Sequence, residues 1–183
     1  MDNITKIRHV STILIYGCYA MMLLCVGWIY GTLFNVFTGR DALGDYMHDA
    51  YIPTLLRMGE VDLLLSIPSA AIYFLPTIML IYALWRLSKM FRLYRDGEYF
   101  CSEGANHLYV FALLFCLMHI LGTPLLGVAD YVLTLGNDLK PYGMPLRING
   151  DEILLLMLYA TFLIVSWILR EAIKIAEENK EFV

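Results

Sequence analysis

VSTILIYGCYAMMLLCVGWIYGTLFNVF, Val10–Phe37, runs without a single formal charge. A bilayer's hydrocarbon core is about 30 Å thick and takes about 20 apolar residues of helix to cross. This stretch is long enough to cross with residues to spare. Three more follow, Pro68–Trp85, Leu108–Gly127 and Ile153–Leu169, and the four together take up nearly half of the chain with almost no formal charge inside them. The reading is an all-α integral membrane protein, a four-helix transmembrane bundle forming a single membrane domain over residues 1–183. Its spans fall near 10–37, 68–86, 107–128 and 152–170, with outer loops at 38–67 and 129–151 and cytoplasmic amphipathic segments at 86–105 and 170–183. Composition agrees: 60% of residues are hydrophobic and 16% charged, against about 45–50% and about 25% in soluble domains.

Charge distribution orients the chain. Lys6, Arg8, the cluster Arg86, Lys89, Arg92 and Arg95, and Arg170, Lys174 and Lys180 lie on one side, and Arg40, Arg57, Lys140 and Arg147 on the other. Cytoplasmic loops retain the excess of Lys and Arg, so both termini and the middle loop are expected in the cytoplasm. The acids Asp41, Asp45, Asp49, Glu60, Asp62, Asp130, Asp138, Asp151 and Glu152 make the outer face acidic. A cleaved signal peptide has an apolar core of about 7–15 residues, shorter than this first run, which is therefore read as a retained span. Ile15-Tyr16-Gly17-Cys18 faintly resembles a lipoprotein cleavage box, but Tyr16 fits poorly and the apolar run continues far beyond Cys18. Cys18, Cys25 and Cys116 fall inside spans and Cys101 in the cytoplasmic loop, so a structural disulfide is not expected.

Within the spans, Gly27 and Gly31 form a small-xxx-small step that lets helices approach closely, and packing inside the bundle is the expected use. Pro68 suits the first turn of span two. Pro76 removes a backbone donor inside it, and Gly122-Thr123-Pro124 does the same in span three. Outside the membrane, Pro53–Leu65 reads as a short amphipathic surface helix. Tyr131–Leu135 and Pro145–Asn149 alternate in polarity around the turn signals Gly136-Asn137-Asp138 and Pro141-Tyr142-Gly143, which predicts a small extracytoplasmic β-hairpin between helices three and four.

The strongest local pattern lies at the inner helix ends. In Arg86–Arg95 the cations recur every three positions, opposite Leu87, Met90, Phe91, Leu93 and Tyr94. Positive-inside anchoring and dipole complementarity account for such a face, and docking of an acidic partner is the functional alternative. Direct nucleic-acid binding is not expected, because Asp96, Glu98 and Glu103 interrupt the cations. Aligning Trp85 with Trp167 pairs Gly97 with Asn179 and Phe100 with Phe182. Gly and Asn best take the left-handed conformation that closes a helix, so both segments would end a helix in the same way, as halves of a degenerate repeat.

Chemistry is sparse. His119, near the middle of span three, is an intramembrane polar group and by default a site hypothesis. Its expected state is neutral and hydrogen-bonded to a neighbouring helix. His9, His107 and His48 lie at other depths, so bis-histidine haem ligation lacks a second ligand. No metal-ligand spacing, P-loop, H-E-x-x-H or G-x-S-x-G occurs, and no catalytic residue, cofactor or metal is assigned.

Phe91-Arg92-Leu93-Tyr94-Arg95-Asp96-Gly97-Glu98-Tyr99-Phe100, followed by Ser102, resembles an F-x-x-x-x-x-G-x-x-F-s element. The ending from Arg170-Glu171-Ala172 through Glu177-Glu178-Asn179 to Phe182-Val183 resembles a closing element of the same family. It is the domain-of-unknown-function 2975 family of small four-span bacterial membrane proteins. The resemblance implies a bacterial cytoplasmic (inner) membrane location. It also implies a cytoplasmic protein partner, a helix-turn-helix transcriptional regulator of the Cro/C1 type, alongside membrane lipids. Cys101 ahead of Ser102 departs from the small polar residue usual there. The expected function is interaction or sensing, with Arg86, Lys89, Arg92, Arg95, Gly97, Phe100, Arg170, Glu171, Glu177 and Glu178 as partner-binding residues. The tail glutamates are expected to clamp onto the basic cluster. The rival reading, an accessory subunit of a membrane transporter or other membrane complex, requires a polar path across the bundle.

Overall fold

A computed structural model describes residues 3–38, 63–134 and 150–181. They form four helices, α1 (Asn3–Thr38), α2 (Leu63–Asp96), α3 (Ser102–Thr134) and α4 (Gly150–Glu181), and no strand occurs among the described residues. A helix satisfies every backbone donor and acceptor within itself, which is why apolar segments of this length take that form in lipid. Each helix contains a stretch long and apolar enough to cross a membrane: Ile4–Phe34, Ile67–Asp96, Ser102–Gly122 and Ile153–Ala176. The chain thus has the makeup of a multi-pass membrane protein. Leu23, Leu24, Tyr30, Met157 and Trp167 are among many large apolar side chains left exposed, as expected where the surroundings are hydrocarbon.

Two expectations about helix ends are corrected. Pro68 is not in a first turn: α2 already runs from Leu63, and Pro68 and Pro76 both lie in its interior. Nor do Tyr131–Thr134 form a strand, for α3 continues through them to Thr134, whose hydroxyl donates to the Tyr131 carbonyl at 2.8 Å. A short apolar run fits the period of either structure, and an established helix extends at the gain of one hydrogen bond per residue. The remainder of the predicted hairpin, residues 135–149, lies outside the described residues, as does most of the predicted surface helix, through residue 62.

The chain divides into two compact units. One comprises Cys25–Ile78 and His119–Ile148. Its core is Tyr73, Phe74 and Ala129, with Ile29, Leu33, Ala70, Ile72 and Leu126 packed around them. Trp28 of α1 stacks on Tyr73 at 6.3 Å and meets Phe74 edge-on at 6.0 Å. Ser69 and Ala129, both fully buried, bring α2 and α3 together, and the Ser69 hydroxyl donates to the Ala129 carbonyl at 2.7 Å. Among the described residues a Cβ on Gly27 or Gly31 would meet nothing within 4 Å. The bulky residues Trp28, Ile29 and Leu33 make α1's contacts in this unit.

The other unit comprises Met1–Leu24, Met79–Met118 and Asn149–Val183. α1 buries Ser11, Ile15 and Cys18, spaced so that they share one helical face. Small residues fill the tightest places: Ala83, Ser88, Ala105, Ala112 and Ser166 are almost wholly enclosed. Phe115 bridges α3 to α4, with its ring 5.3 Å from that of Tyr159.

Candidate functional site

The site is built in this second unit, where α2 ends and α3 begins. Gly97 takes φ 101°. Its amide donates to the Tyr94 carbonyl at 3.3 Å, and the Glu98 amide donates to the Leu93 carbonyl at 2.9 Å. These two bonds form a Schellman closure, which requires a left-handed residue and therefore favours glycine. The predicted counterpart at Asn179 does not exist, since α4 continues through it to Glu181. With no Gly to stop it, the segment keeps its helical bonding, and the proposed repeat loses its second helix end.

Cys101 caps α3. The Gly104 amide donates to its sulfur at 3.3 Å, and the Ala105 amide to its carbonyl at 3.2 Å. Sulfur is a weak acceptor, and serine is among the preferred residues at this position. Cys101→Ser is expected to raise stability by about 0.5–1 kcal/mol, read as a higher melting temperature in detergent. Gly104 permits the tight turn. A Cβ there would stand 3.1 Å from Cys101 Sγ and 3.7 Å from Leu93 Cδ1.

Around this turn the predicted cations take local partners. Lys89 Nζ lies 3.8 Å above the Trp85 ring. Arg92 donates to the Tyr19 hydroxyl and rests near that ring. Arg95 pairs with its neighbour Asp96 at 3.1 Å. Among the described residues, the buried Arg86 Nε and the Tyr99 hydroxyl find no hydrogen-bond partner. Phe100 projects from the turn, 82% exposed. The expected clamp is not formed among the described residues: Glu178 pairs with Lys174 of its own helix at 3.9 Å, Glu171 is exposed, and the side chain of Glu177 lies outside the description. Neighbours one helical turn apart are simply nearer than another helix, and exposed pairs contribute only about 0–1 kcal/mol.

A cavity of about 570 Å³ opens between the first turns of α3 and the later part of α4. α3 contributes Ser102, Glu103, Asn106 and Tyr109. α4 contributes Trp167, Arg170, Glu171 and Lys174, at the spacing that gathers residues onto one face. Arg170 lies 4.8 Å above the Tyr109 ring. Behind Glu103, its carboxylate 3.5 Å from Nε2, His107 is 4% exposed, and neither ring nitrogen has a made hydrogen bond.

Of the predicted residues, Arg170 and Glu171 thus share a cavity, whereas Arg86, Lys89, Arg92, Arg95, Gly97 and Phe100 belong to the α2 end and its turn. His107, Tyr19 and Tyr109 were not singled out by the sequence. The Glu103–His107 spacing of four was the available signal, while the two tyrosines meet their arginines only through tertiary packing. His119 is half-buried and is not without an interaction partner. The transport reading asked for a polar path. The buried hydroxyls of Ser69, Ser88 and Ser166 each donate to a backbone carbonyl, at 2.7–2.8 Å. Among the described residues no group of three or more His, Cys, Asp or Glu could hold a metal ion.

No curated protein and no solved structure matches this chain. The long apolar helices, the Phe91–Phe100 turn closed by Gly97 and the α4 ending run from near one terminus to the other, and so does the family match. It extends over residues 5–183, and the chain belongs to the family described as protein of unknown function (DUF2975).

Proposed function

We propose that this protein is an interaction or sensing protein of the bacterial cytoplasmic membrane. In this reading, the turn between α2 and α3 and the later part of α4 face the cytoplasm and engage a protein partner there. The observation that carries the reading is Phe100, 82% exposed on a five-residue turn that directly follows the helix end bearing the exposed residues Arg92 and Arg95. Aromatic and arginine side chains dominate the energetics of protein recognition. A flexible loop would lose entropy on ordering, but this turn is already fixed by the Schellman closure at one end and the Cys101 cap at the other. The partner is accordingly an acidic surface with an apolar pocket. The family resemblance makes a small helix-turn-helix regulator the specific candidate, held at the membrane or released from it.

A photo-crosslinking residue at Phe100 in native membranes tests this. One cytoplasmic protein should be captured, and the adduct should vanish when Arg92 and Arg95 are both changed to Glu. With the partner in hand, Phe100→Ala should weaken binding by about 2 kcal/mol, roughly thirtyfold. Capture of lipid alone, or an adduct indifferent to charge reversal, would count against the reading.

A further inference from the structure

We propose that the α3–α4 cavity is a binding site for the headgroup of a zwitterionic phospholipid, one that carries a phosphodiester and a primary ammonium group. This site starts just past the Phe100 turn and shares the later part of α4 with the proposed partner surface, but binding the lipid requires neither Phe100 nor a protein partner.

Three observations converge. The first is size: about 570 Å³ falls within the range of about 300–1,000 Å³ for small-molecule sites. The second is the order of side chains along α4. Trp167 precedes Arg170, Glu171 and Lys174 just where the apolar run Ile153–Leu169 gives out. On α3 the sequence is mirrored, with Tyr109 toward the apolar run and Ser102, Glu103 and Asn106 toward the helix start. Apolar body, aromatic rim and polar floor follow one another as acyl chain, glycerol and headgroup do in a lipid.

The third observation is charge. Among the lining residues Arg170 and Lys174 are balanced by Glu103 and Glu171, so the lining carries both signs. A bound phosphate competes for Lys174 with Glu178, now 3.9 Å from it. A ligand bearing both signs uses both pairs: its phosphate meets Arg170, Lys174 and the positive end of α3, and its ammonium meets the two carboxylates. Arg170 is already held above the Tyr109 ring at 4.8 Å, so less side-chain freedom is lost when it binds. Glu103 is the subtler member, since its carboxylate also stands 3.5 Å from the buried His107. A primary ammonium donates hydrogen bonds to these carboxylates, and a trimethylammonium cannot.

The test uses the full-length protein, purified and delipidated in detergent, with dioctanoyl lipids titrated while thermal stability and native mass are followed. Dioctanoyl phosphatidylethanolamine should bind saturably and raise the melting temperature. The phosphatidylcholine and phosphatidylglycerol analogues should bind about tenfold more weakly. Arg170→Gln with Lys174→Gln should weaken ethanolamine lipid by about tenfold or more. Glu171→Gln, on an exposed position where folding is not at stake, should reverse the order and favour the glycerol lipid. Equal affinity for all three lipids, or a preference unmoved by Glu171→Gln, overturns the proposal. So does glycerophosphoethanolamine without acyl chains binding as tightly as the lipid, because the ligand would then be a soluble one.

Discussion

Gly97→Val is expected to destabilise the protein by about 2 kcal/mol or more, because a β-branched side chain must enter a backbone conformation that penalises any Cβ. A Cβ at Gly97 would meet nothing within 4 Å among the described residues, so the main effect comes from φ 101°. Relief requires the residue to leave the left-handed region, which breaks the closure made by the Gly97 and Glu98 amides and frees the turn that presents Phe100. Thermal melting in detergent measures the first consequence, and proteolysis of the α2–α3 turn the second. Gly122→Ala is the internal control. Gly122 lies inside α3 with open space around it and no positive φ, so alanine there should stabilise by about 0.5–1 kcal/mol. If Gly97→Val melted with the wild type, the closure could not be what terminates α2.

Ala129→Leu is expected to cost about 1–3 kcal/mol through overpacking, since Ala129 has no exposed surface and sits within the Tyr73–Phe74 core. Pushing α2 from α3 also stretches the bond from Ser69 to the Ala129 carbonyl, now 2.7 Å. Ser69→Ala alone should cost about 0.6 kcal/mol and at most about 1.7, the range measured for hydrogen bonds between membrane helices. Because both changes strike one contact, the double variant should lose less than the sum of the two. Full additivity in equilibrium unfolding would show that the hydroxyl and the close approach act independently.

Much of the fold was legible because lipid imposes a simple rule: long uncharged runs become helices. The same rule explains where reading failed. It says nothing of where a helix stops beyond the apolar run, so α2 began earlier than Pro68 suggested and α3 carried on through Tyr131–Thr134. Gly97 was readable as a helix end because glycine alone takes its φ without penalty, whereas Asn179 can equally remain helical and does so. The contacts that α1 does make, through Trp28, Ile29 and Leu33, come from bulky residues whose periodicity in an all-apolar run marks no single face. At the site, the sequence supplied Arg170 and Glu171 and the cations of α2. It could not supply Tyr19 or Tyr109, whose importance comes from which helix lies beside them, and it hinted at His107 only through its spacing of four from Glu103.

Two cations rest on aromatic rings near the ends of apolar runs. Lys89 over Trp85 on α2, and Arg170 over Tyr109 on the α3–α4 side, join a charged group that stays with water to a ring that favours the headgroup layer. Such pairs suit the boundary between hydrocarbon and water. Earlier in α2, Pro68 and Pro76 leave the carbonyls of Leu64 and Ile72 without their usual helical donors, making that half the softer one. Within α2, a thinner or thicker bilayer is therefore expected to bend the helix at this proline-bearing stretch, where it lacks two of its own bonds.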